Sequence, residues 1–92
     1  MSILIVTRHA GLIEWLKRHG VGGDVIEVAS PADVAGRDVI GVLPLHLAAL
    51  ARSVTTVDMP GLTLAQRGKD LSPDEMDAAG AMLHRYIVRE DK

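Results

Sequence analysis

The chain has 92 residues, 48% of them hydrophobic, with Trp15 and Tyr86 as its aromatics and no cysteine. That length fits one domain spanning 1–92, the missing thiols exclude disulfides, thiolate metal sites and a thiol nucleophile, and no apolar run approaches the roughly 20 residues of a bilayer span. A net charge of −2 and a pI near 6 argue against a long nucleic acid, which needs clustered cations, but leave room for a small anion held by a few donors.

Ile3-Leu4-Ile5-Val6 is continuously apolar, as in a parallel strand covered on both faces. Over 11–19, Leu12, Ile13, Trp15 and Leu16 gather on one side while Glu14 and Arg18 stand four apart on the other, which predicts an amphipathic helix with an ion pair along it. Gly20 and the Gly22-Gly23 pair end it. Val25-Ile26-Glu27-Val28 reads as a second strand, Ser30-Pro31-Ala32-Asp33 as a loop or single helical turn, and Val39-Ile40-Gly41-Val42-Leu43 as a third strand stopped by Pro44. Residues 45–52 are predicted helical, since Pro44 has no amide hydrogen to waste at a helix start. Val54-Thr55-Thr56-Val57 is a fourth strand by its β-branched content. Residues 58–71 have no clear period, and a loop of that length in a small domain is often functional. Ser72-Pro73-Asp74-Glu75 forms a capping box that starts a last helix running through Met76, Ala79 and Leu83. Tyr86-Ile87-Val88 either prolongs that helix or forms a short strand, and 89–92 frays.

Strands alternating with helices predict a small α/β fold, a mostly parallel sheet wound in the Rossmann-like manner with helices on both faces. A domain of this size buries only roughly 60–65% of its unfolded surface, so a homodimer would ease its marginal stability. With no basic segment before the first strand and no long apolar region after it, a secretory signal is not expected and the chain reads as cytoplasmic. No membrane partner is expected.

In such sheets ligands gather beyond the carboxyl ends of the strands, where helix N-termini offer unpaired amides. Thr7, Arg8 and His9 leave the first strand at that edge, with Ala10 and Gly11 following, and Pro44, Leu45 and His46 leave the third. A loop folding over them would add Asp58, Gln66, Arg67 and Lys69. A hydroxyl, a guanidinium fork and an imidazole suit phosphate chemistry, with His9 as the candidate proton carrier and His46 as its alternative. Plainer readings stand beside these. Arg8 could be a surface ion-pair partner, His9 a cap, His46 a half-buried helix residue, Asp58 the order of a turn, and Arg67 and Lys69 solvated loop charge. His19 and His84 read as structural cations near helix ends. No metal-ligand spacing, Walker loop or Gly-x-Gly-x-x-Gly is present, so no metal or other cofactor is expected. Arg8-His9-Ala10 meets the Arg-His-Gly of histidine phosphatases at two of three positions, and the second distant His and further arginines of those larger enzymes have no counterpart.

Taken together, Val6-Thr7-Arg8-His9-Ala10-Gly11-Leu12-Ile13-Glu14-Trp15, Val39-Ile40-Gly41-Val42-Leu43-Pro44-Leu45-His46-Leu47-Ala48-Ala49 and Arg67-Gly68-Lys69-Asp70-Leu71-Ser72 resemble the CRISPR-associated Csx-sixteen family. His46 stands where that family often has Asn. The resemblance implies a Rossmann-like, CARF-related homodimer of type III CRISPR systems that binds cyclic tetra-adenylate and degrades it as a ring nuclease. Because each adenosine of such a ring carries its own nucleophile, the expected reaction is a metal-independent attack of a ribose 2′-hydroxyl on its neighbouring phosphate. A non-catalytic receptor or sponge for the same messenger is the alternative.

Overall fold

Apolar runs of three to six residues separated by short capped helices settle into one mixed sheet in the computed structural model, which describes residues 3–67 and 69–91. Gly68 of the long loop and Lys92 of the expected frayed tail lie outside the described residues. The elements follow in the order β1 (Leu4–Val6), α1 (Ala10–Arg18), β2 (Asp24–Ile26), α2 (Pro31–Val34), β3 (Asp38–Gly41), α3 (Leu45–Ala48), β4 (Ser53–Asp58), a 3-10 turn (Leu64–Gln66), α4 (Pro73–Ala78) and β5 (Met82–Tyr86). The strand order is β2-β1-β3-β4-β5. The first four strands are parallel and β5 runs antiparallel to β4. The result is the expected small α/β fold with Rossmann-like winding.

Register explains why β1 reads as apolar throughout. Leu4 pairs with Val39, which pairs with Val54, and these three face α2 and α3 together with Val34, Leu47 and Ala48. Ile5 pairs with Ile40 on the opposite face, where Trp15 and Leu16 of α1 and Met76 of α4 cover them. Side chains alternate across a strand, so a strand covered on both faces cannot afford a polar position. The two cores are therefore set by residue parity along β1, β3 and β4.

Four expectations change. The last helix stops at Ala78 instead of continuing through Leu83, because Gly80 turns the chain at φ 77° and its amide closes on the Asp77 carbonyl at 3.0 Å. Residues 82–86 then complete the open edge of β4, placing His84 opposite Thr56 in mid-strand and not near a helix end. The strand ends at Tyr86, and Val88 beyond it packs on the α2/α3 core. The helix expected over 45–52 is a single turn, after which the Arg52 amide bonds the Arg37 carbonyl at 2.8 Å and redirects the chain into β4. Finally, Arg18 does not pair with Glu14 but reaches Asp74 of α4 at 2.9 Å. Among the described residues no helix is long and apolar enough to cross a membrane.

Candidate functional site

The sheet order creates the site. The chain leaves β1 toward β2 and leaves β3 toward β4, so connections diverge above two neighbouring strands and open a crevice between their carboxyl ends. A cavity of about 410 Å³ lies there, within the range of small-molecule sites. Thr7, Arg8 and His9 form its β1 side, and Gly41 and Val42 its β3 side. Gly41 has φ 143°, and a Cβ there would stand 2.4 Å from the Val6 carbonyl oxygen, so only glycine lets β3 turn outward this close to β1.

The long segment after β4 folds over the crevice. Met59, Leu62 and Leu71 close its apolar side against Leu12 of α1 and Met76 of α4, while Gln66 and Lys69 supply its polar rim. This segment is more ordered than its sequence suggests: Thr63 and Gln66 form a capping box, with Gln66 Oε1 accepting from the Thr63 amide at 3.1 Å. The return toward α4 is tight as well. A Cβ on Gly11 would lie 1.8 Å from the Leu71 carbonyl oxygen, so α1 and the loop touch backbone to backbone.

Within the site, Thr7 is buried at 8% exposure and its Oγ1 accepts from the His9 amide at 3.1 Å. That bond fixes the turn from β1 into α1 and makes His9 the residue preceding the helix. The His9 Nδ1 lies 2.6 Å from Asp70 Oδ1, an exposed contact between residues 61 apart in sequence. The first turn of α1 carries no acidic side chain of its own, so the carboxylate at this helix start is Asp70, brought in by the loop. Arg8 and Lys69 add positive charge to the cavity wall, and Glu27 beyond β2 adds a negative one. The arrangement can hold a phosphate-bearing ligand at its rim and an apolar, planar group against its methionine and leucine side.

The other predicted residues divide. Arg8, His9, Thr7, Gln66 and Lys69 share the cavity wall, whereas Ala10 and Gly11 form the adjoining helix start. Pro44 precedes α3, and Leu45 and His46 belong to it. Because α3 packs on the face opposite α1 and α4, His46 lines a separate groove with Leu50, Val88 and Glu90. His46 is exposed and not half-buried. Asp58 turns to the edge strand, accepting from Thr56 Oγ1 at 3.0 Å and bonding His84. Arg67 lies beside the cavity and outside its wall.

Sequence reasoning missed Asp70, Glu27 and the methionine-leucine side. Asp70 stood in a segment already singled out for its cations, but nothing local pairs it with His9. Among the described residues no group of three or more His, Asp or Glu is gathered as a metal site.

Fold and site together define a small α/β protein with an open crevice at the strand carboxyl ends, lined by Arg8, His9, Lys69 and Glu27. A family model described as "Putative CRISPR-associated protein (Cas_VVA1548)" matches residues 4–89, and the chain belongs to that family. Comparison with curated proteins and with solved structures found no match.

Proposed function

We propose that this CRISPR-associated protein is a ring nuclease that binds cyclic tetra-adenylate and opens it without a metal. The observation that carries the reading is the assembly of Arg8, His9 and Lys69 around one cavity from segments some sixty residues apart. Family membership supplies the setting, and the resemblance to Csx-sixteen proteins supplies the messenger. The apolar side of the cavity suits a nucleobase, and its cationic rim suits the phosphates.

Each adenosine brings its own nucleophile, the ribose 2′-hydroxyl. Holding that oxygen in line with the adjacent phosphorus and the departing 5′-oxygen supplies much of the rate enhancement by positioning alone. The 2′-hydroxyl proton passes to His9 as the O2′–P bond forms. The P–O5′ bond then breaks and the departing oxygen takes up a proton, leaving a linear adenylate that ends in a 2′,3′-cyclic phosphate. Arg8 and Lys69 hold phosphate oxygens as charge builds, a contribution of order 10²–10³ in rate per donor. Two copies of the chain in a two-fold, CARF-like dimer would present the same groups to both halves of the ring.

The test is incubation of the purified protein with cyclic tetra-adenylate in EDTA, with products resolved by chromatography. Linear adenylates carrying a terminal cyclic phosphate support the enzyme. A ring that stays intact and bound identifies a receptor instead, and absence of binding by calorimetry rejects both.

A further inference from the structure

We infer that Asp70 is a positioning residue that holds the His9 imidazole in its Nδ1–H tautomer and so leaves the Nε2 lone pair free to take a proton. An ionised carboxylate can only accept a hydrogen bond. At 2.6 Å from Asp70 Oδ1, the His9 Nδ1 must therefore be the donor. The same bond aims the ring: Thr7 fixes the His9 amide from below, and Asp70 fixes the imidazole from the loop above. Arg8, Lys69 and Glu27 also bring charge to this cavity, yet Asp70 is the one that bonds the imidazole among the described residues. The catalytic consequence rests on the proposed ring cleavage, whereas the tautomer does not.

The molecule carries its own reference set. His19 Nδ1 lies 2.9 Å from the Trp15 carbonyl oxygen, and His84 Nδ1 bonds Asp58. Both acceptors again force Nδ1–H. His46 makes no hydrogen bond among the described residues and reports the ordinary preference of a solvated ring for Nε2–H.

The experiment is a nitrogen-15 imidazole spectrum of the labelled full chain at about pH 8, above the ordinary imidazole range, for the wild type and Asp70→Ala. His9 is expected in the Nδ1–H form in the wild type and in the His46-like form in the variant. Unchanged His19 and His84 signals show that the variant is folded. A His9 tautomer that is Nε2–H from the start, or that ignores the substitution, overturns the inference. In parallel, Asp70→Ala is expected to lower kcat on cyclic tetra-adenylate about ten- to hundredfold with KM changed less than about twofold. An altered tautomer with wild-type kcat overturns the catalytic consequence. A wild type that does not cleave the ring at all rejects the proposed function while the tautomer result stands.

Discussion

The indole nitrogen of Trp15 donates to Asp77 Oδ1 at 2.7 Å, tying α1 to α4 across the face that supports the cavity. Trp15 is 2% exposed but Asp77 is an exposed residue, so water can take the place of the carboxylate once it is removed, in a poorer geometry. Asp77→Ala is expected to destabilise the fold by about 0.5–1.5 kcal/mol, the net worth of a hydrogen bond that water can partly replace. Urea unfolding followed by the fluorescence of the single tryptophan measures it. An unchanged midpoint would show that the indole finds another acceptor.

Gly11→Ala places a methyl group where the Leu71 carbonyl now sits. Helix α1 and the loop return must separate, and Lys69 and Asp70 move with Leu71. Under the proposed function, the variant is expected to lose at least about tenfold in turnover of cyclic tetra-adenylate, since small misplacements of positioned groups cost that much or more. Helicity by circular dichroism should remain near wild type, because alanine favours the helix itself. Wild-type turnover would mean that the loop does not need its close approach.

Arg8→Ala, His9→Ala and His46→Ala separate the roles proposed above for ring cleavage. The first should weaken both binding and kcat, whereas His9→Ala should lower kcat by roughly 10²–10⁴ with binding retained. His46→Ala should leave both within about twofold, because its ring lines another groove behind the sheet. Single-turnover kinetics with calorimetry distinguishes these outcomes, and a large loss in the His46 variant would relocate the site.

At the opposite end of the sheet, the Ser53 hydroxyl donates to Asp38 Oδ1 at 2.6 Å. That bond, helped by Arg52 and Arg85 and opposed by partial burial, holds the Asp38 carboxyl below its ordinary range. A carboxylate whose folded pKa is depressed contributes stability above its unfolded pKa and loses it as pH falls through the folded value. The melting temperature of Asp38→Asn should therefore lie below wild type at neutral pH. The gap should close as pH drops below about 4, the range of an unperturbed aspartate. A gap independent of pH would assign the difference to packing.

Much of this architecture was legible along the chain. The apolar run of β1, the β-branched residues of β4 and the Ser72 capping box each predict their elements from local preferences that tertiary structure reinforces. The segment 82–86 was not legible, since Met82, Leu83 and Tyr86 satisfy helical spacing as readily as strand alternation. Its conformation was decided by the open edge of β4 and by the turn at Gly80. The same distinction separates Arg8 and His9, which follow a recognisable strand end, from Asp58, whose partner His84 arrives only with β5.

The linear sequence thus determined the alternation of strands and helices, the double-sided burial of the central strands and the turn that exposes Arg8 and His9. These are local properties, set by side-chain volume, backbone preference and the parity of apolar positions. Only the tertiary structure decided that Asp70 meets His9, that Lys69 joins Arg8, and that His46 falls behind the sheet. Contacts between residues far apart depend on strand order and on the face each helix covers, and neither is written in the spacing of neighbours.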